Sequence, residues 1–136
     1  FCGYGEPTLR LDTIKEVSKK IKEAGGKVRL NTNGHGNVIN KRNILPELKG
    51  LVDSISISLN ADTAEAYDRI VRPLPGLRDG IYNKVKEFIE EAKKHIPEVQ
   101  ATIVTHQEGV DEEMCEEISK NEFDVKYRPR RYNIVG

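Results

Sequence analysis

The chain has 136 residues, 37% of them apolar and 32% charged, with 22 basic side chains balanced by 22 acidic ones. That length fits one domain, the apolar content supports a core, and a net charge of zero lacks the basic footprint of a dedicated nucleic-acid binder. No apolar run approaches the roughly 20 residues that span a bilayer. Cys2 and Cys115 are too few for a disulfide framework, so a reducing cytoplasm is the expected setting.

In chain order, Phe1-Cys2-Gly3 reads as the end of a strand, with no initiator Met before it, as if the chain were a piece of something longer. Thr13 and Glu16 have the spacing of a capping box, ahead of Ile14, Val17 and Ile21 at helical period. Gly25-Gly26 stops that helix. Residues 28–31 predict a strand, 33–37 a turn, and 40–48 a short helix weakened by Pro46. Residues 53–60 form the clearest strand. Asp62, with Glu65 reaching back, predicts the cap of the next helix. Arg72-Pro73-Leu74-Pro75-Gly76 breaks the pattern. The longest helix is expected over 79–94, a strand over 99–104, a helix over 111–120 and a last strand over 123–128.

Strands alternating with helices predict βαβ units and a parallel sheet. A closed (β/α)₈ barrel takes about 250 residues, so this chain holds about four and a half units. The expected fold class is therefore α/β, a partial (β/α) TIM-type barrel truncated at the N-terminus, with residues 1–136 as a single domain.

The strand faces carry the first functional signal. A parallel strand covered on both sides should be nearly all apolar. Here Ile55, Ile57 and Leu59 alternate with Ser54, Ser56, Ser58 and Asn60. Val28 and Leu30 oppose Arg29, Asn31 and Asn33, and Phe123, Val125 and Tyr127 oppose Asp124, Lys126 and Arg128. Helices should pack on the apolar faces and leave the polar ones lining a concave cavity. Ligands in α/β sheets bind at the carboxyl ends of strands, and those ends carry Gly3-Tyr4-Gly5-Glu6-Pro7, Asn31-Thr32-Asn33-Gly34, Ser58-Leu59-Asn60 and Thr105-His106. Gly3 and Gly5 allow backbone to approach a ligand or cradle an anion, or simply make a tight turn. Glu6 could meet an ammonium.

Among other candidates, His35 reads as an exposed residue of a glycine-flanked turn, with substrate contact at the cavity mouth as the alternative. His95 ends the longest helix, where a cation suits the helix dipole. His106 follows a strand and could reach the cavity. The three histidines lack zinc-ligand spacing. Arg72 lies in the proline-rich loop, facing solvent or substrate. Arg128, Arg130 and Arg131 form a basic run, and Lys126 and Arg128 share the serine side, where one could meet a carboxylate. Cys2 reads as a small buried residue, and Cys115 as the edge of an apolar helix face.

Taken together these segments resemble the radical SAM (S-adenosylmethionine) superfamily. Gly3-Tyr4-Gly5-Glu6-Pro7-Thr8-Leu9 is similar to its glycine–glycine–glutamate motif on the second barrel strand, with Tyr4 in place of a small residue. Asn31-Thr32-Asn33-Gly34 resembles the third strand and Ser56 to Ala61 the fourth; residues 101–105 and 125–128 fall where the fifth and sixth would lie. With Asn33-Gly34-His35-Gly36-Asn37 included, the pattern resembles the TatD-linked radical SAM family. The resemblance implies that Gly3, Tyr4, Gly5 and Glu6 hold the methionine amino group, largely through backbone. It implies that Ser58 and Asn60 meet the ribose or carboxylate and that Val104 borders the adenine, with Asn31 and Asn33 as further contacts. It also implies a [4Fe–4S] cluster bound by three cysteines upstream, in the full-length protein only, since Cys2 and Cys115 cannot supply the ligands. The implied activity of the parent is reductive cleavage of SAM to a 5′-deoxyadenosyl radical acting on an unnamed substrate, with the 136-residue chain inactive alone. The alternatives are a phosphate-binding α/β barrel enzyme and a non-catalytic nucleotide-binding or scaffold domain of the same fold.

Overall fold

In residues 53–60 an isoleucine or leucine follows each serine, and β-branched side chains at every second position favour an extended strand with one face to bury. The computed structural model, which describes residues 1, 6–71, 80–105 and 107–130, places a strand there and three more beside it. The strands are β1 (Arg29–Thr32), β2 (Ser54–Ser58), β3 (Glu98–Val104) and β4 (Lys126–Arg130). They lie side by side in chain order and all run parallel. The helices are α1 (Leu11–Glu23), α2 (Gly36–Asn40), α3 (Leu45–Leu48), α4 (Ala64–Val71), α5 (Ile81–His95) and α6 (Glu112–Glu117). A 3₁₀ turn, Pro7–Arg10, leads into α1, and a π turn, Ile118–Glu122, follows α6. Parallel strands that advance in one direction through right-handed crossovers gather their helices on one side of the sheet. This is the singly wound α/β arrangement of a partial β/α barrel.

The register separates the two faces. Ile55 lies between Leu30 and Val99, and Ile57 between Thr32 and Ala101. Leu30, Ile55, Ile57 and Leu59 are at most 1% exposed and join Val85, Phe88 and Ile89 of α5 in the core. On the other face Asn31, Ser56, Gln100 and Lys126 form one row across the sheet. Asp53 fixes the entry to β2. Its carboxylate accepts from Lys22 Nζ at 2.6 Å and from the Val28 N–H at 2.7 Å, joining α1, the start of β1 and the start of β2.

Several boundaries differ from expectation. The first helix begins at Leu11, so Thr13 and Glu16 lie within it and form no cap; the start is set by Pro7 and by Glu6, which accepts from the Thr8 N–H. The helix expected over 40–48 is two short ones, because Lys41 turns left-handed (φ 56°) after α2. Thr63, rather than Asp62, caps α4, its Oγ1 accepting from the Ala66 N–H, while Asp62 Oδ1 accepts from the Asp111 N–H. The last strand starts at Lys126 because Asp124 adopts φ 53°; Phe123 and Val125 are buried ahead of it. Cys115 lies fully inside the core rather than at its edge, and burial pushes its thiol up to about 12. The proline-rich break, Arg72, Arg131, His106 and Cys2 lie outside the described residues. No described helix is long and apolar enough to cross a membrane.

Truncating Ile57 to Ala should cost about 2–5 kcal/mol in denaturant unfolding, from lost burial plus the cavity left behind. Ser58→Ala, on the open face, should change stability by less than about 0.5 kcal/mol. Equal losses at both positions would contradict the two-faced sheet.

Candidate functional site

The polar row of the sheet opens into a groove of ≈ 330 Å³. β1 contributes Arg29 and Asn31, β2 contributes Ser56 and Ser58, β3 contributes Gln100 and Thr102, and β4 contributes Arg128 and Arg130. A larger open groove of ≈ 900 Å³ lies outside the helix layer, between the α2 region and the exposed side of α5, where lysines and glutamates are mixed. The smaller groove is the better candidate, since it lies on the concave face towards the strand carboxyl ends, where α/β folds bind ligands.

Within the groove, Ser56 Oγ accepts from Gln100 Nε2 at 2.5 Å and from the Arg29 guanidinium at 3.2 Å. With both lone pairs engaged, its O–H remains to donate. Asn31 Oδ1 and Thr105 Oγ1 are buried without a hydrogen-bond partner among the described residues. An orphaned buried acceptor is costly unless water or a ligand donates to it.

At the carboxyl end of β1, Glu6 organises the rim. Its Oε2 accepts from the Thr8 N–H at 3.1 Å, the Thr8 hydroxyl and the Thr32 hydroxyl at 2.6 Å. Its Oε1 accepts from the Asn33 N–H at 2.8 Å. Three of the four donors crowd Oε2 and one reaches Oε1, which offers about two lone-pair sites. The carboxylate thus builds the loop, and its Oε1 keeps capacity for a further donor. The loop continues with an Asx turn, Asn33 Oδ1 accepting from the His35 N–H at 2.9 Å. Gly34 (φ 82°) lies where a Cβ would press on Ile57 and Val85, and a Cβ on Gly36 would come within 2.6 Å of Ile44. These close approaches explain the Asn-Gly-His-Gly pattern.

His35 is buried, at 4% exposed, rather than an exposed turn residue. Its Nε2 pairs with the Tyr67 hydroxyl at 2.7 Å, and Tyr67 packs against Tyr82, whose hydroxyl donates to the Ala61 carbonyl at 2.9 Å. This chain of rings ties the loop after β1 to α4 and α5. Burial lowers the His35 pKa below 6.5, with the Glu6 charge opposing the shift less strongly.

Of the candidate site residues, Asn31 and Ser58 line the groove together. Asn33 stands on the Glu6-held rim. Asn60 follows β2 with φ 64°, a backbone that asparagine tolerates better than most residues, and its N–H donates to the Thr102 carbonyl at 3.2 Å. Val104 ends β3 and pairs with Arg130. Gly3, Tyr4 and Gly5 lie outside the described residues. Arg29 lines the groove as its place on the polar face of β1 predicts, while sequence reading passed over Gln100 and Thr102. Strict alternation with the buried Ala101 and Ile103 was the signal that could have placed them. His95, at the end of α5, lies 3.8 Å from Glu91, away from the groove. Among the described residues no cluster of His, Cys, Asp and Glu could hold a metal.

Glu6→Gln replaces one acceptor oxygen by an amide that faces N–H and O–H donors. It should cost about 1–3 kcal/mol in chemical unfolding; a value near zero would show that the carboxylate does not hold the rim. For His35, the unfolded chain binds a proton more readily than the folded one. Its contribution is therefore complete above about pH 6.5 and is lost as pH falls through the lowered folded value. The Glu47 carboxylate, held at about 2 by Arg42 and Lys15, acts in a separate window below about 4.5. Unfolding midpoints should thus decline as pH falls below about 6.5 in the wild type, before the Glu47 window is reached, and stay flatter there in His35→Gln. Parallel curves would refute the assignment.

The model of the Radical SAM superfamily matches residues 1–120. A Methanocaldococcus jannaschii protein named as a putative glycyl-radical enzyme activating enzyme is 32% identical over 123 residues, covering 88% of this chain and 48% of that protein. An uncharacterized protein of the same organism is 33% identical over 101 residues, covering 74% of this chain and 32% of the relative. The chain thus spans about half the length of the first relative and a third of the second. No solved structure matches. With four parallel strands in chain order, a polar concave face and a family match over most of its length, the chain belongs to the radical SAM superfamily.

Proposed function

We propose that this chain forms the SAM-binding portion of a radical SAM enzyme. The observation that carries the reading is the concave polar groove with the unpartnered Asn31 Oδ1 beside the Glu6-held rim, in a chain of this superfamily. A buried acceptor suits a ligand that brings N–H or O–H donors, and SAM has both an ammonium and ribose hydroxyls. The residues fit the molecule in kind.

In this reading the segment Gly3, Tyr4, Gly5 and Glu6 meets the methionine amino group, largely through its backbone, with the Glu6 carboxylate holding the rim in place. Asn31 accepts from the ligand, Ser58 and Asn60 meet ribose or carboxylate, and Val104 borders the base. When bound, SAM would supply the radical chemistry of the full-length enzyme. The chain's own contribution is to orient the ligand and exclude water around it. The residues present do not fit the cluster. The chain has two cysteines, and Cys115 is a buried thiol in the core with a raised pKa, unlike an exposed thiolate ligand. The ligands are expected elsewhere in the full-length protein, along with a reducing cytoplasmic setting.

The full-length protein, loaded with its cluster anaerobically and reduced, should release 5′-deoxyadenosine from SAM. Absence of that product with the cluster present would overturn the reading. In the same protein Asn60→Gly, which keeps the left-handed backbone and removes only the side chain, should weaken SAM binding by about 0.5–1.5 kcal/mol. Unchanged affinity would remove Asn60 from the site.

A further inference from the structure

We propose that Arg128 and Arg130 on β4 form a subsite for a substrate bearing a carboxylate or phosphate group. This rests on the radical SAM reading above and names the substrate class of that same groove.

Three guanidinium groups line the groove, from Arg29, Arg128 and Arg130, and no carboxylate does. The protein as a whole balances 22 cations with 22 anions, so this is a local excess of one sign. Several cations elsewhere on the described surface are paired. Lys15, Lys22, Arg42, Lys86, Lys94 and Lys120 each lie within 3.1 Å of a carboxylate oxygen. Arg128 and Arg130 have no such partner among the described residues. Glu98 lies alongside Lys126 in an adjoining recess of ≈ 80 Å³ towards the start of the strands; the recess shares Arg29, Ser56 and Gln100 with the groove but neither Arg128 nor Arg130.

The two arginines are two residues apart on one strand, so their side chains leave the same face about 7 Å apart. Arg128 stands opposite Thr102, whose hydroxyl also lines the groove. Guanidinium is a planar fork that matches the paired oxygens of carboxylate and phosphate, and it stays charged at any physiological pH. Both arginines are exposed, and with the Thr102 hydroxyl they present their donors to the groove. They are well suited to receive an oxyanion.

Arg128 and Arg130 lie on the opposite side of the groove from the Glu6-held rim at β1, three strand spacings or about 14 Å away. Arg130 pairs with Val104 and Arg128 with Thr102, so the anion they hold is adjacent to the far end of the proposed SAM site, and the SAM arm of the test separates a second molecule from SAM's own carboxylate.

The test uses the full-length, cluster-loaded protein, with inorganic phosphate, succinate and uncharged succinamide as probes in calorimetric titration, in parallel with SAM. Wild type should bind succinate or phosphate and ignore succinamide, the preferred probe showing which oxyanion the site favours. Arg128→Gln/Arg130→Gln should lose about tenfold or more of that affinity while SAM affinity changes by less than about twofold. Arg128→Lys/Arg130→Lys, with circular dichroism to verify folding, should retain part of the anion binding. Equal anion binding by wild type and the glutamine variant, or none by wild type, would overturn the proposal. A tenfold loss of SAM affinity in the glutamine variant would assign the anion to SAM and equally overturn it. The underlying radical SAM reading fails separately, in the 5′-deoxyadenosine assay of the unaltered protein.

Discussion

The carboxylate of Glu6 is the constraint on which the rest of the site depends. It draws donors from three places in the chain: the first turn at Thr8, the end of β1 at Thr32, and the loop at Asn33. Thr8 and Thr32 are both buried, so their hydroxyls need these bonds. An ionised acceptor makes such bonds shorter and stronger than a neutral amide would. Because all four positions are acceptor positions, a glutamine of equal length cannot substitute. The loop built in this way then holds His35 beneath it, and His35 reaches Tyr67 on the far helix. Electrostatics at one side chain thus sets the geometry of the rim and links it to the helix layer.

The sheet divides labour by parity. Odd positions of β2 anchor the fold under α5, and even positions stay polar and face the groove. A packed apolar sheet would be more stable, but would leave no room for a ligand on the concave side. Polar side chains there satisfy one another only in part: Ser56 takes two donors, while Asn31 Oδ1 takes none among the described residues. Incomplete internal pairing is what leaves bonding capacity for a guest.

The alternation at 54–60 and the strand–helix succession made the fold class and the polar face legible in the sequence, because both follow from local period. The resemblance of the Gly3–Thr8 and Asn31–Gly34 segments pointed to the family. What escaped was set by contacts distant along the chain. His35 looks like an exposed turn residue until Tyr67, 32 positions on, covers it. Asp62 has the better capping spacing, yet it accepts from Asp111, 49 residues away, and Thr63 takes its place. Nothing in the segment around Glu6 reveals that Thr32 and Asn33 return to its carboxylate. Cys115 looked marginal because helix periodicity gives its face but not the depth of the core behind it.

β4 is the outer strand of the described sheet and carries Pro129 opposite Ile103. The Thr105 N–H donates to the Arg130 carbonyl, and in a parallel ladder alternate residues of a strand bond to the same neighbour. Lys126, Arg128 and Arg130 therefore bond towards β3, which leaves the backbone of Tyr127 and Pro129 facing outward. Pro129 has no N–H to offer at that edge. A strand from another molecule laid along β4 would find a gap in the middle of its ladder, flanked by three cationic side chains. The same strand that lines the groove is thereby a poor template for edge-to-edge aggregation.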